Sequence, residues 1–184
     1  MKKFKHISVD LETLGVTADS VILSIGACRF DLDGIGIDDE AFYASISVDS
    51  NLDLKRYISE DTLLWWLKRG QAAQNVFHEP KTTFEAAFCD FTDWVGTDDN
   101  CMWSMGADFD LPMLAHGYKQ LLLSPPWKFW NSRCVRTYKN LPQAQNINLP
   151  RQGTHHNALD DAIYQAQLVQ AIQRVLTGKK AVIA

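Results

Sequence analysis

Asp10-Leu11-Glu12 sets two carboxylates two residues apart. In an extended strand, side chains at i and i+2 leave the same face, so a strand here holds both acids on one side of a rigid element. Converging carboxylates repel unless a proton or a cation lies between them. Gly106-Ala107-Asp108-Phe109-Asp110 adds acids where a short apolar run gives way to a helical pattern, a position the helix dipole favours for negative charge. His155-His156-Asn157-Ala158-Leu159-Asp160-Asp161 then sets imidazoles at a helix entry and carboxylates about one turn in. A histidine at a helix start is held less readily as a cation, which suits a neutral base. Each segment alone has a plain structural explanation: a solvated strand end, a capped helix start, a capping loop. Together they supply, from separate elements, the oxygen ligands that Mg²⁺ or Mn²⁺ prefers, beside a group able to take the proton of an attacking water. Two such ions ~3.5–4 Å apart suit phosphodiester hydrolysis, activating the water and stabilising the leaving oxygen. Two pairings stay open on the residues alone: Asp108 against Asp110, and His155 with Asp160 against His156 with Asp161.

The elements that must position these groups are legible in the periodicity. Lys5 to Asp10 alternates Ile7 and Val9 with polar residues, as a half-buried strand does. Val21 to Phe30 reads as a more buried strand, and Ala41 to Val48 as a third, so an antiparallel meander opens the fold. Ser59 is placed to cap a helix carrying Leu63 to Leu67, and Thr82 with Glu85 has the spacing of a capping box before Phe84, Ala87, Phe88, Phe91 and Val95. Cys101 to Met105 is strand-like; a helix starts near Phe109, with Leu111, Leu114, Tyr118, Leu121 and Leu122 as its buried stripe. A short strand near Lys128 to Trp130 and a helical turn over Arg133 to Leu141 follow. The last helix spans about Asn157 to Thr177, with Ala158, Ala162, Ala166, Val169, Ile172 and Leu176 on one face. Strands first and helices interleaved later predict an α/β domain with a mixed sheet.

The 184 residues fit one domain, with 46% hydrophobic and 22% charged residues at ordinary globular values. A net charge of −4 argues against a protein that coats long nucleic acid through a broad basic surface. It does not argue against a nuclease, whose metal-binding carboxylates are acidic until the ions arrive. No stretch is apolar for long enough to span a bilayer, and the expectation is a soluble cytoplasmic protein. Cys28, Cys89, Cys101 and Cys134 lack any Cys-x-x-Cys pair and are expected to be reduced and mostly buried.

Asp10-Leu11-Glu12-Thr13, Phe109-Asp110 and His156-x₄-Asp161 resemble the three exonuclease motifs of the DEDDh superfamily, in the right order and across nearly the whole chain. The closer likeness is to the group containing mycobacterial ribonuclease AS and phage T4 exonuclease A, through Thr62-Leu63-Leu64-Trp65-Trp66 and Pro125-Pro126-Trp127 with Arg133-x-x-Arg136-Thr137. The resemblance implies a ribonuclease H-like mixed β-sheet flanked by α-helices. It also implies two divalent cations, Mg²⁺ or Mn²⁺, on Asp10, Glu12, Asp110 and Asp161, with His156 as general base. The substrate would be single-stranded RNA or DNA with a free 3′ end, released as nucleoside 5′-monophosphates, and the protein a homodimer. Leu14 and Gly15 would pack on the terminal sugar by the same analogy. From residue type, Trp65, Trp66 and Trp103 are candidates to stack a base, and Arg136, with Arg133, Lys139 and Arg151, to meet phosphate. The likeness to the ribonuclease AS group alone implies a slight preference for RNA over DNA. A trimming or proofreading exodeoxyribonuclease is the second reading, and a non-catalytic ribonuclease H-like binding module the third.

Overall fold

The computed structural model describes residues 4–34, 36–97 and 99–179. Strands β1 (His6–Thr13), β2 (Ile22–Phe30) and β3 (Phe42–Ser45) form the antiparallel meander. Strands β4 (Cys101–Ser104) and β5 (Ser132–Cys134) join in parallel on the other side of β1, giving the order β3-β2-β1-β4-β5. The sheet is therefore mixed, as expected.

Alternation along β1 decides what each face carries. Ile7, Val9 and Leu11 are buried in one apolar cluster with Phe84, Phe88 and Phe91 of α4 (Phe84–Val95) and Leu111, Leu114 and Tyr118 of α5 (Asp110–Gln120). Ser8, Asp10 and Glu12 take the opposite face. Their register partners on β2 are Cys28, Gly26 and Ser24, all small. The long helix α7 (Ala158–Leu176) crosses β1 and β2 on this face, presenting Ala158, Ala162 and Ala166 with no exposed surface. Small residues on both partners let the helix lie close. At Gly26 the approach is extreme: a Cβ there would fall 2.2 Å from the carbonyl carbon of Ala158 and from the amide nitrogen of Leu159. Helix α6 (Val135–Lys139) packs beside α7 in a second apolar cluster containing Phe30 and Trp103. Helices α1 (Val48–Asp53), α2 (Glu60–Leu67) and α3 (Gln71–Gln74) lie beyond the β1–β2 turn, where Leu14, Val21, Leu23 and Trp66 form a third cluster.

Several expectations shift. The third strand stops at Ser45, because the Ser47 side chain accepts from Ser50 N and starts α1, overriding the strand propensity of Val48. Thr83, not Thr82, caps α4: its hydroxyl accepts from Ala86 N at 3.2 Å. The backbone of Thr82 is engaged instead with Ser45 and Ser47 across a bridge to β3's end. The strand expected near Lys128 to Trp130 is a 3₁₀ turn over Phe129–Asn131, and pairing with β4 begins at Ser132. Leu122 is not part of the buried stripe; it follows the α5 C-cap Leu121 at a φ of 58° and is 93% exposed. Leu176, in the last turn of α7, is exposed as well. All four cysteines are free, and of them only Cys28 is buried. Among the described residues no helix is long and apolar enough to cross a membrane.

Candidate active site

The first two acids stand on β1, where Leu11 between them turns into the core. The Leu11 amide donates to Oδ1 of Asp110 at 3.2 Å, so the first residue of α5 docks against the strand between Asp10 and Glu12. Asp110 is 2% exposed, whereas Asp108 lies on the surface.

Helix α7 brings the remaining groups. Asn157 caps it by accepting from the amides of Leu159 and Asp160. Asp160 turns away from the sheet and accepts from Thr154 N at 2.7 Å, tying down the preceding loop. Asp161 faces β1 instead, with Oδ2 accepting from His156 N at 3.1 Å. Oxygens of Asp10, Glu12 and Asp161 all lie within 4.8 Å of one another, and so do ligand atoms of His155, His156 and Asp161. Asp110 belongs to neither trio but adjoins Asp10 in a recess with Val16, Phe109 and Arg136. Of the two His–Asp pairings, the geometry therefore brings His156 and Asp161 together and sends Asp160 to the loop.

His156 has a φ of 65°, a left-handed conformation that is strained for a residue with a side chain and that the surrounding contacts must hold. Its ring centroid is 4.8 Å from that of Trp65 and 4.0 Å from that of His155. Burial pushes the His156 pKa down to about 4, helped by the charges of His155, Arg69 and Arg151. The imidazole is thus unprotonated at neutral pH. Burial raises the pKa of Asp10, with repulsion from Asp110 and Glu12 adding to it. Burial likewise raises Glu12, reinforced by Asp110, and raises Asp110 against the stabilising amide of Leu11.

Two features frame the acids. Gln165, one turn beyond Asp161, donates from Nε2 to Oδ1 of Asp10 at 2.6 Å. Sequence reading missed it, although the i+4 spacing from Asp161 puts both on one helix face. Arg151 meets Oδ1 of Asp161. The Gln165 Oε1 is buried with no hydrogen-bond partner among the described residues. Carboxylate oxygens converging within 4.8 Å, beside this Oε1 of Gln165, are a donor set that suits Mg²⁺ or Mn²⁺, so the residues fit a divalent cation.

Above the acids opens a cleft of about 510 Å³, within the size range of small-molecule sites. Gly15, Thr62, Trp65, Trp66, Phe109 and Tyr164 are among its walls. The candidate substrate residues divide. Gly15, Trp65 and Trp66 line the cleft, though Trp66 is 2% exposed and donates its indole N–H to Thr13 O at 2.8 Å. Arg136 lines the adjoining recess. Leu14 points into the third apolar cluster: it lies one residue past β1, beyond the register shift at Glu12/Thr13, so strand alternation no longer keeps it on the face of Asp10 and Glu12. Trp103 packs under α6 and donates to Nδ1 of His6 at 2.9 Å, so its ring has no path to the cleft.

Residues 5–173 match the model of the Rv2179c-like family, described as the 3′-5′ exoribonuclease Rv2179c-like domain. No curated protein matches the chain. Among solved structures, E. coli exonuclease I in complex with a dT13 oligonucleotide aligns at TM-score 0.66 and 16% identity over 94% of this chain and 42% of that one. A moderately thermophilic exonuclease I from Methylocaldum szegediense aligns at 0.64 and 14%, over 92% and 40%. The nuclease domain of 3′hExo, a DEDDh family member bound to rAMP, aligns at 0.62 and 15% over 100% of this chain and 98% of that domain. The chain thus spans about two fifths of the exonuclease I chains and shares with all three the ribonuclease H-like fold.

Proposed function

Because the chain belongs to the Rv2179c-like family of 3′-5′ exoribonuclease domains, within the DEDDh exonuclease superfamily, we propose that it is a divalent-metal-dependent exonuclease. It trims single-stranded nucleic acid from the 3′ end and releases nucleoside 5′-monophosphates. The observation that carries this is the convergence of Asp10, Glu12 and Asp161 within 4.8 Å at the base of a cleft, with an unprotonated His156 beside them.

Asp10, Glu12, Asp110 and Asp161 hold two cations in this reading. Bound there, the ions supply positive charge that activates the attacking water and stabilises the leaving oxygen. His156 takes the proton from that water, a role its depressed pKa keeps it ready for. Gly15 and Trp65 contact the terminal nucleotide, Trp66 backs Trp65, and Arg136 meets phosphate. Residues 5–173 act as one exonuclease unit, and the likeness to the ribonuclease AS group extends the proposal to a homodimer.

RNA is the favoured substrate, supported by the family's description as exoribonucleases. The dT13 bound by exonuclease I supports the second reading, an exodeoxyribonuclease. Digestion of matched end-labelled RNA and DNA oligomers, with Mg²⁺, Mn²⁺ or chelator, separates the two. Asp10→Ala and Asp161→Ala should each abolish metal-dependent release of mononucleotides while the protein stays folded. Full activity in either purified variant overturns the assignment.

A further inference from the structure

Arg151 lies in the cleft wall, carried by the loop that precedes α7. That loop is fastened to the helix. Thr154 N donates to Asp160, and Gly153, at a φ of 78°, passes so close that a Cβ would fall 2.4 Å from Cγ of Asp160. From this anchored position the Arg151 guanidinium pairs with Oδ1 of Asp161, and its carbon lies 4.8 Å from the centroid of the Tyr164 ring. Its charge also acts on Asp10 and Glu12. A guanidinium on that oxygen competes with a hard dication for it, because two positive charges at contact distance repel strongly in a partly buried site. A guanidinium displaced from Asp161 stays within reach of the cleft, since Asp160 tethers its backbone and the Tyr164 face gives it a resting place. The planar fork it then presents matches the oxygens of a phosphate.

We propose that Arg151 is the resident counter-ion of the carboxylate site: it pairs with Asp161 in the metal-free protein, yields that oxygen when the cation binds, and then holds a phosphate of the substrate. This rests on Asp161 being a metal ligand, as proposed above.

Calorimetric titration of the full chain with Mn²⁺ at pH 8 tests it, comparing wild type with Arg151→Gln and Arg151→Lys. An opposite charge in contact shifts a carboxylate's proton affinity by about ten- to a thousand-fold, and a dication competes for the same oxygen, so Arg151→Gln should bind Mn²⁺ at least about tenfold tighter. In chelator the same variant should melt below wild type. At saturating Mn²⁺ its KM for a single-stranded oligonucleotide should rise about tenfold, and the salt dependence of binding should weaken by about one phosphate contact. Arg151→Lys keeps a cation but loses the fork; it should retain wild-type Mn²⁺ affinity and still show the raised KM, and it carries the test should Arg151→Gln not fold. Unchanged or weaker Mn²⁺ binding by Arg151→Gln overturns the counter-ion role, and an unchanged KM in both variants overturns the phosphate role. Absence of any saturable Mn²⁺ site in the wild type sinks the metal-ligand reading instead.

Discussion

Gln165 on α7 donates to Oδ1 of Asp10 on β1 across 2.6 Å, linking the last motif of the chain to the first. It orients the carboxylate and stabilises its charged form, opposing the effect of burial. Partners that orient a ligand in this way are typically worth about 10–100-fold in metal affinity. Gln165→Leu, similar in volume but without the donor, should therefore weaken Mn²⁺ binding by about that factor with little change in melting temperature. A titration of the two proteins under one buffer reads this directly, and equal affinities would show that Asp10 needs no such partner.

Gly26 faces Asp10 across the β1–β2 ladder and receives the α7 backbone. Gly26→Ala would force the start of α7 outward, since backbone atoms at 2.2 Å cannot yield as a flexible side chain could. Overpacking of this kind costs about 1–3 kcal/mol. The larger effect should be on function, because Asp161 and His156 ride on the displaced segment, and misplacement of about 1 Å can lower a rate ~10²-fold. Thermal melting and metal-dependent activity, both taken well below the transition, separate the two contributions. A variant that loses stability but keeps its rate would show that the α7 start tolerates displacement.

Much of the site was legible because it rests on short-range geometry. Asp10 and Glu12 share a face by strand alternation, and α7 was expected from about Asn157 to Thr177 and runs Ala158–Leu176. Gln165 and Gly26 were not legible: their importance appears only when α7 crosses the sheet, a contact between residues more than a hundred positions apart. Trp103 misled for the same reason. Its residue type suits base stacking as well as core packing, and the choice was made by the parallel pairing of β4 with β5, which puts Trp103 beneath α6. Between Pro125 and Leu149 the elements are only three to five residues long, too short for periodicity to locate.

Removal of metal should reverse the protein's response to pH. Burial raises the pKa of Asp10, Glu12 and Asp110, with repulsion from neighbouring carboxylates adding to it at Asp10 and Glu12, so the folded metal-free protein holds these protons more tightly than the unfolded chain does. Their contribution to stability is complete below the ordinary carboxylate range of about 4 and is lost as pH rises through the folded values, about 7 for Asp110 and about 8 for Glu12. His156 acts in the other direction, losing stability only as pH falls from the usual imidazole value of about 6.5 towards its depressed one. In chelator the melting temperature should thus fall as pH rises from about 6.5 to about 8.5. Mn²⁺ at about 100 times its Kd should stabilise by ~2.7 kcal/mol, or ~5–10 °C for a chain of this length, with the required concentration falling as pH rises. A metal-free melting temperature that climbs over this window contradicts the account.

The two histidines should differ in kind. His156 is close-packed against Trp65 and donates its amide to Asp161, while His155 is exposed. His156→Ala should lower kcat about 10²–10⁴-fold, the range for loss of a positioned general base, and leave saturable Mn²⁺ binding in place. His155→Ala removes an exposed ring that neighbours His156 at 4.0 Å but does not take its place beside Trp65, so it should lower kcat far less than His156→Ala does. Because the His156 pKa is about 4, the acid limb of the activity profile should follow carboxylate deprotonation and shift to lower pH as Mn²⁺ is raised. A limb insensitive to metal concentration would assign it to an imidazole after all.

Of the three tryptophans near this end of the sheet, only Trp65 combines a cleft-facing ring with partial exposure. Arg69 lies 4.4 Å over its ring and Trp66 packs edge-on at 5.1 Å, so the indole is braced before substrate arrives. A braced aromatic surface stacks a base at low entropic cost, and loss of one such contact is worth about 1–3 kcal/mol. Trp65→Ala should therefore raise KM for a single-stranded oligomer about 5- to 150-fold. Part of the loss should reach kcat, because the same ring packs against His156. Trp103→Phe should do the opposite. It removes the donor to His6 and some buried volume, lowering the melting temperature while KM stays at the wild-type value. Steady-state kinetics on both variants, with melting curves as the control, decide the matter: a raised KM in Trp103→Phe, or an unchanged one in Trp65→Ala, would mean that the terminal base lies on a different wall.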